Sequence, residues 1–325
     1  MSSSVQSERP GASPVQALPV KASPTRRREG SVQAARPSSF TKRAYPLWFH
    51  IPAAVIFIAL FIVPTIMSFY FAFTRWTLFE ATFIGLENFV MFLAEPGLIG
   101  SLGHTLIYGF STSALKVIIG MALAVALTKP IIARGYLRSV TFFPVLVSAV
   151  GVGLTFKVLL DQYHGVVNQV WTAIFGSDGP GWLTNPDIAL YTLIGIDVWK
   201  GVGLATLIYI AGITAIPNEY FEAARVDGAG SWRIFRTIIL PLSFPATSTV
   251  IILSLIGGLR SFDLIWATTG GGPGFATDVI ASVIYKQYQA GFYGLSTAGN
   301  VILFIVVTAI VYPLNRWLVS KETTL

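Results

Sequence analysis

The sequence predicts an all-α integral membrane fold with six transmembrane helices. Three observations carry that expectation. Hydrophobic residues make up 54% of the 325 residues and charged residues only 11%, against about 25% charged in soluble domains. Six apolar stretches meet or approach the ~20 residues that a helix needs to cross a bilayer. The segments between them alternate between rich and poor in Lys and Arg, the pattern that orients spans.

Residues 1–44 are rich in Ser, Pro, Ala and Arg and lack hydrophobic periodicity, which predicts a disordered, basic cytoplasmic tail. Eight of the 22 basic residues lie there: Arg9, Lys21, Arg26, Arg27, Arg28, Arg36, Lys42 and Arg43. A basic tail beside a membrane span sets topology and touches anionic lipid. No soluble basic surface follows it, so the net charge of +7 does not point to nucleic acid. The apolar run that begins near Leu47 is too long for a signal-peptide core and no small-residue cleavage site follows, so it reads as a retained first span.

Residues 45–325 form the transmembrane domain, with spans placed at about 49–72, 104–127, 139–160, 188–212, 238–259 and 295–318. The loops at 128–138 and 213–237 carry Lys129, Arg134 and Arg138, and Arg225, Arg233 and Arg236. The loop after span one has Arg75 and the loop after span three has no Lys or Arg. Both termini of a multi-pass membrane protein are therefore expected in the cytoplasm.

Catalytic and metal chemistry find little support. Cysteine is absent, and His50, His104 and His164 are scattered without ligand spacing, so no metal site is expected. The glycine cluster at 270–274 lacks the Lys of a phosphate-binding Gly-rich loop and falls on the outward side by charge counting. It reads as a turn-rich outer loop. A membrane-bound glycosyltransferase would need a carboxylate cluster on a sizeable loop, and the outer acids are dispersed.

The inward segment 217–237 has more pattern than a connector requires. Pro217 suits a helix start, 219–226 are good helix formers, Gly228 and Gly230 permit a sharp turn, and Ser231 can cap a second helix. Phe221, Trp232 and Phe235 are large aromatics in an aqueous loop. They suit either a partner's pocket or the lipid surface.

Glu222-Ala223-Ala224, three residues, Gly228, nine residues, Ile238, one residue and Leu240-Pro241 resemble the EAA loop of binding-protein-dependent ABC transporter permeases. Asp227-Gly228-Ala229 is the variant of the carbohydrate type. Gly85-Leu86-Glu87-Asn88-Phe89, Phe143-Pro144, Gly165, Asn168, Asp197-Val198-Trp199-Lys200, Phe262-Asp263, Thr269 to Pro273 and Ile284-Tyr285 resemble the maltose and glycerol-3-phosphate permeases. The resemblance covers about Leu47 to Leu325. It implies the type I ABC importer permease fold, with a second homologous permease chain, a dimeric ATPase and an extracytoplasmic solute-binding protein as partners. ATP and Mg2+ would then belong to the ATPase, leaving no cofactor in this chain. Phe221, Glu222, Ala223, Ala224, Asp227, Gly228, Trp232 and Phe235 would form the coupling helix and its surroundings. The resemblance points to oligosaccharide, with glycerol-3-phosphate or a polyol derivative as the runner-up.

Polar and ionisable side chains inside spans usually face the bundle interior or a pathway. Lys116, Asp197, Lys200 and Asn300 meet that description, and Trp199 and Tyr209 can stack on a sugar face. Asp197 and Lys200 are three apart and can pair along one helix face. Lys116 has no place in the family pattern, and Lys157 is expected to reach back to the interface.

Overall fold

A computed structural model describes residues 47–77 and 79–322; the predicted tail 1–44 lies outside the described residues. The chain divides into two units, Met1–Val55 and Ile56–Leu325. In the first, a 3-10 turn at Leu47–His50 stacks the rings of Trp48 and Phe49 at 4.4 Å.

Four helices are long and apolar enough to cross a membrane: α1 (Trp48–Phe71), α3 (Leu98–Thr128), α7 (Pro186–Thr214) and α13 (Tyr293–Glu322). They coincide with the first, second, fourth and sixth predicted spans. A two-stranded antiparallel hairpin, β1 (Thr74–Trp76) and β2 (Ala81–Phe83), pairs Thr74 with Phe83 after α1. The hairpin's two three-residue strands sit in an otherwise helical chain, in keeping with the expected fold class. The short α2 (Glu87–Leu93) is tied to the hairpin by buried Asn88, whose Nδ2 donates to the carbonyls of Ala72 at 3.0 Å and Thr74 at 2.8 Å.

The third and fifth predicted spans are not single straight helices. In the third, α4 (Arg134–Leu146) and α5 (Ala149–Leu159) meet at 98°. Pro144 removes one donor and crowds the preceding turn, so α4 stops two residues later. Ser148 then opens a new helix, its Oγ accepting from the Gly151 N–H at 3.1 Å. Neither half reaches the ~30 Å hydrocarbon thickness at 1.5 Å per residue. After the short α6 (Val166–Phe175) comes α7. It is followed by α8 (Asn218–Val226) and then by α9 (Ser231–Leu242) and α10 (Phe244–Leu259), which bend by 68° between Pro241 and Pro245. The described chain thus has four uninterrupted candidate spans, or six if each bent pair is one.

The centre is α3 packed between α7 and α10. Small residues allow the close approach that membrane helices use: a Cβ on Gly258 would come within 2.8 Å of the Gly109 Cα. At the C-terminal ends of α3 and α7, Met121, Ala124, Leu127, Ile210, Ile213 and Ile239 form one buried cluster. The Arg138 guanidinium donates to the Leu127 carbonyl at 2.9 Å, satisfying a helix end. Towards the opposite ends, α11 (Asp263–Thr268) lies against α5, and α12 (Ile280–Gln289) against α13. The glycine cluster is part of an ordered loop there. The Asp278 carboxylate accepts from Lys286 Nζ at 2.5 Å and Ser282 Oγ at 2.8 Å, and Thr277 Oγ1 donates to the Gly272 carbonyl at 2.6 Å.

Candidate functional site

Two regions hold the residues singled out from the sequence. The first is α8 and its exit. The Ala229 N–H donates to the Ala224 carbonyl at 2.8 Å and the Gly228 N–H to the Arg225 carbonyl at 3.0 Å. With Gly228 at φ +70, this is a Schellman closure, in which a left-handed glycine lets the chain reverse and satisfy the last carbonyls. Ser231 starts α9 but does not cap it: Gly230 is the cap residue and no side chain bonds there.

The aromatics of this segment divide. Phe221 and Phe235 are half-buried against the cluster of Met121, Leu127 and Ile213. They fasten α8 and α9 to the chain's own core as well as bordering the surface. Trp232 remains 71% exposed and stacks on Phe235 at 5.3 Å. Glu222, Ala223 and Asp227 are exposed, and Ala224 is partly covered. Tyr220 and Val226 are also open, Val226 at 88%. Sequence reasoning passed over both; their signal was an apolar or aromatic side chain on the helix face away from Phe221.

The second region is a cavity of about 200 Å³ between α3, α7 and α10, lined by Lys116, Asp197, Lys200 and Ser254 among apolar neighbours. Lys116 Nζ donates to Asp197 Oδ2 at 2.6 Å, and both side chains are largely buried. The expected Asp197–Lys200 pair is therefore replaced by one between helices. Helical spacing allowed Lys200, but Gly201 leaves open the space beside α7 into which Lys116 reaches. A Cβ at position 201 would meet Lys116 Cε at 2.6 Å. Lys200 is partly exposed and has no acidic partner among the described residues.

The other pathway candidates lie elsewhere. Tyr209 is fully buried in the α3–α7–α10 core, so its ring has no face free for a sugar. Trp199 is 47% exposed, in a T-shaped contact with Phe156 at 5.3 Å, and does not line the cavity. Asn300 opens instead into a groove between α1 and α13 with Thr65, Ser68 and Arg260. Lys157 is exposed near the end of α5. In the turn that follows, the backbone N–H groups of His164 (2.8 Å) and Tyr163 (3.1 Å) donate to Asp161 Oδ1 and hold that carboxyl below its ordinary range.

This arrangement has close counterparts. Residues 33–323 match the family described as binding-protein-dependent transport system inner membrane component. The trehalose/maltose transport system permease protein MalF of Thermococcus litoralis is 32% identical over 259 residues, covering 79% of this chain and 88% of that one. A probable ABC transporter permease protein, y4oQ of Sinorhizobium fredii, is 33% identical over 273 residues, covering 82% and 88%. Among solved structures, a bacterial alginate ABC transporter in complex with an alginate pentasaccharide-bound periplasmic protein contains a chain that superposes with a TM-score of 0.74. That chain is 25% identical, and the match covers 85% of this chain and 95% of the other. A family match across nearly the whole length, on a bundle of membrane-spanning helices, makes this chain a membrane-embedded permease subunit, without ATPase activity of its own, in the family of binding-protein-dependent transport system inner membrane components.

Proposed function

We propose that the chain forms half of the translocation pathway of an ATP-driven oligosaccharide importer. The observation that carries this reading is an exposed, Schellman-closed helix, α8, packed through Phe221 onto the same α3–α7 pair that holds the charged cavity. A push on α8 is delivered directly to the helices that line the cavity. The outer face of α8, with Glu222, Val226 and neighbouring Trp232, docks on a dimeric ATPase that holds ATP and Mg2+. A second, homologous permease chain completes the pathway. An extracytoplasmic binding protein delivers the substrate, and both termini face the cytoplasm.

The named substrates of relatives support saccharide. They include trehalose and maltose, starch degradation products and arabinooligosaccharides. A phosphate-bearing substrate such as glycerol-3-phosphate calls for several free cations, and Asp197 already neutralises Lys116. Lys116, Asp197 and Lys200 are assigned to the pathway. Closure of the ATPase on ATP favours one state of the bundle and hydrolysis the other, which is alternating access by differential affinity.

The test is reconstitution of the chain with its neighbouring permease, ATPase and binding protein in vesicles. Uptake of labelled oligosaccharide should require ATP and the binding protein and should fail with Glu222→Ala. Uptake driven by an ion gradient without ATP would overturn the reading.

A further inference from the structure

Seven aromatic rings make an unbroken line across five elements, from the end of α1 through β1, the start of α13 and α12 to α11. Phe71, at the end of α1, stacks on Trp76 of β1 at 4.2 Å. Trp76 meets Tyr293 at 5.7 Å, and Tyr293 meets Tyr288 at 5.3 Å. Tyr288 stacks on Tyr285 at 6.2 Å. Tyr285 touches both Trp266 at 4.8 Å and Phe262 at 5.0 Å, and those two stack on each other.

Two features separate this line from ordinary core packing. None of the seven rings belongs to a hydrophobic core cluster or is fully buried, and Tyr288 is 54% exposed. The hydroxyls of Tyr285, Tyr288 and Tyr293 make no hydrogen bond among the described residues. A lipid-interface belt is a different arrangement, with Trp and Tyr spread around the perimeter at helix ends. Here the rings touch one another, and most sit on the hairpin and on the short helices α11 and α12 rather than on spans.

We propose that the line is a saccharide-stacking track on the outward mouth of the permease. This rests on the reading of the chain as an oligosaccharide importer subunit with the hairpin and the 260–293 segment outside. A sugar ring offers an apolar C–H face and an edge of hydroxyls. Aromatic faces match the first, and unbonded phenol hydroxyls match the second. The exposed Asp263 carboxylate, between Phe262 and Trp266 in sequence, adds an acceptor. A row of touching rings suits a chain of sugars better than a single one, because each step along it exchanges one stacking partner for the next.

The probe is tryptophan fluorescence of the full-length chain in lipid nanodiscs, titrated with maltoheptaose and with alginate pentasaccharide. At least one sugar is expected to give a saturable change. Tyr288→Ala and Trp76→Leu should each weaken it about fivefold, the change that corresponds to about 1 kcal/mol, while Tyr288→Phe retains most of it. Tyr288 is exposed, so its substitution tests the track even if Trp76→Leu fails to fold. No saturable response to either sugar overturns the proposal, as does wild-type affinity in Tyr288→Ala. So does a Tyr288→Ala chain that enters nanodiscs in lower yield yet binds the sugar with unchanged affinity, which would mark the rings as lipid anchors. A chain that binds maltoheptaose while the complete transporter imports no saccharide sinks the importer reading and leaves the track. A transporter whose Tyr288→Ala form imports maltoheptaose with unchanged KM sinks the track alone.

Discussion

Replacing Lys116 with Met isolates the energetics of the charged cavity. Lys116 and Asp197 meet at 2.6 Å with side chains 10% and 19% exposed. Removing one member of a buried pair leaves the other charge without its partner and costs about 3–5 kcal/mol. A lone Asp at a helix centre in the bilayer costs about 2.5–3.5 kcal/mol. A neutral hydrogen bond between membrane helices contributes only about 0.6 kcal/mol on average, so the stranded charge dominates. Asp197 keeps some access to the cavity, which places Lys116→Met near the lower bound, about 3 kcal/mol. Replacing both members with apolar residues, Lys116→Met with Asp197→Leu, should return stability to within about 1 kcal/mol of the starting chain. The coupling is then about 2 kcal/mol or more. Lys200→Met, which breaks no ion pair, should stay within about 0.5 kcal/mol. Reversible unfolding of the starting chain, Lys116→Met, Asp197→Leu, the double variant and Lys200→Met in mixed detergent and SDS micelles, followed by circular dichroism, gives the five free energies. Additive single costs below about 1 kcal/mol, or a Lys200→Met loss equal to that of Lys116→Met, would refute the reasoning.

Gly201→Ala should mimic part of the Lys116 loss, because the new methyl occupies the space of Lys116 Cε; unfolding with and without Lys116→Met should show the two changes to be less than additive. At Gly228 a Cβ meets nothing within 4 Å, so only the left-handed backbone objects. Gly228→Val should cost about 1–2 kcal/mol and reduce co-purification of the ATPase, whereas Gly228→Asn, which tolerates that conformation, should do neither. Reporter fusions after Ser177 and after Arg233 should read outside and inside respectively, and the reverse would overturn the topology. The lowered Asp161 carboxyl supports its turn above its unfolded pKa, and that support is lost as pH falls through the lower folded value. Hydrogen exchange at the Tyr163 and His164 amides should therefore stay protected until the pH is below the ordinary aspartate range, and Asp161→Ala should abolish both the protection and its pH dependence.

Much of α8 was legible from residue types alone. Pro217 before helix formers and Gly228 after them mark a helix start and stop through local backbone sterics, and the observed bounds follow them. The same locality explains where the reading stopped. Phe221 and Trp232 look alike in sequence as aromatics in an aqueous loop. Only the position of the α3 and α7 ends decides that one is packed and the other open.

Residue order alone marks the chain as a helical membrane protein, because apolar length and loop charge act through lipid and water, which are the same for every such chain. It also determined the helix–glycine–helix pattern of 217–237, because that pattern depends on residues a few positions apart. The tertiary structure decided which charges meet. Asp197 and Lys200 are neighbours on one helix, yet Lys116, 81 positions away from Asp197, takes the carboxylate across a gap opened by Gly201. It also decided that the third span bends by 98°: Pro144 and Ser148 permit the break, but the packing of α5 against α11 sets its angle. The ring-to-ring line from Phe71 to Phe262 has no sequence period at all. Some neighbours, such as Tyr285 and Tyr288, are local, but its members come from three stretches, 71–76, 262–266 and 285–293, and only long-range packing joins one stretch to the next.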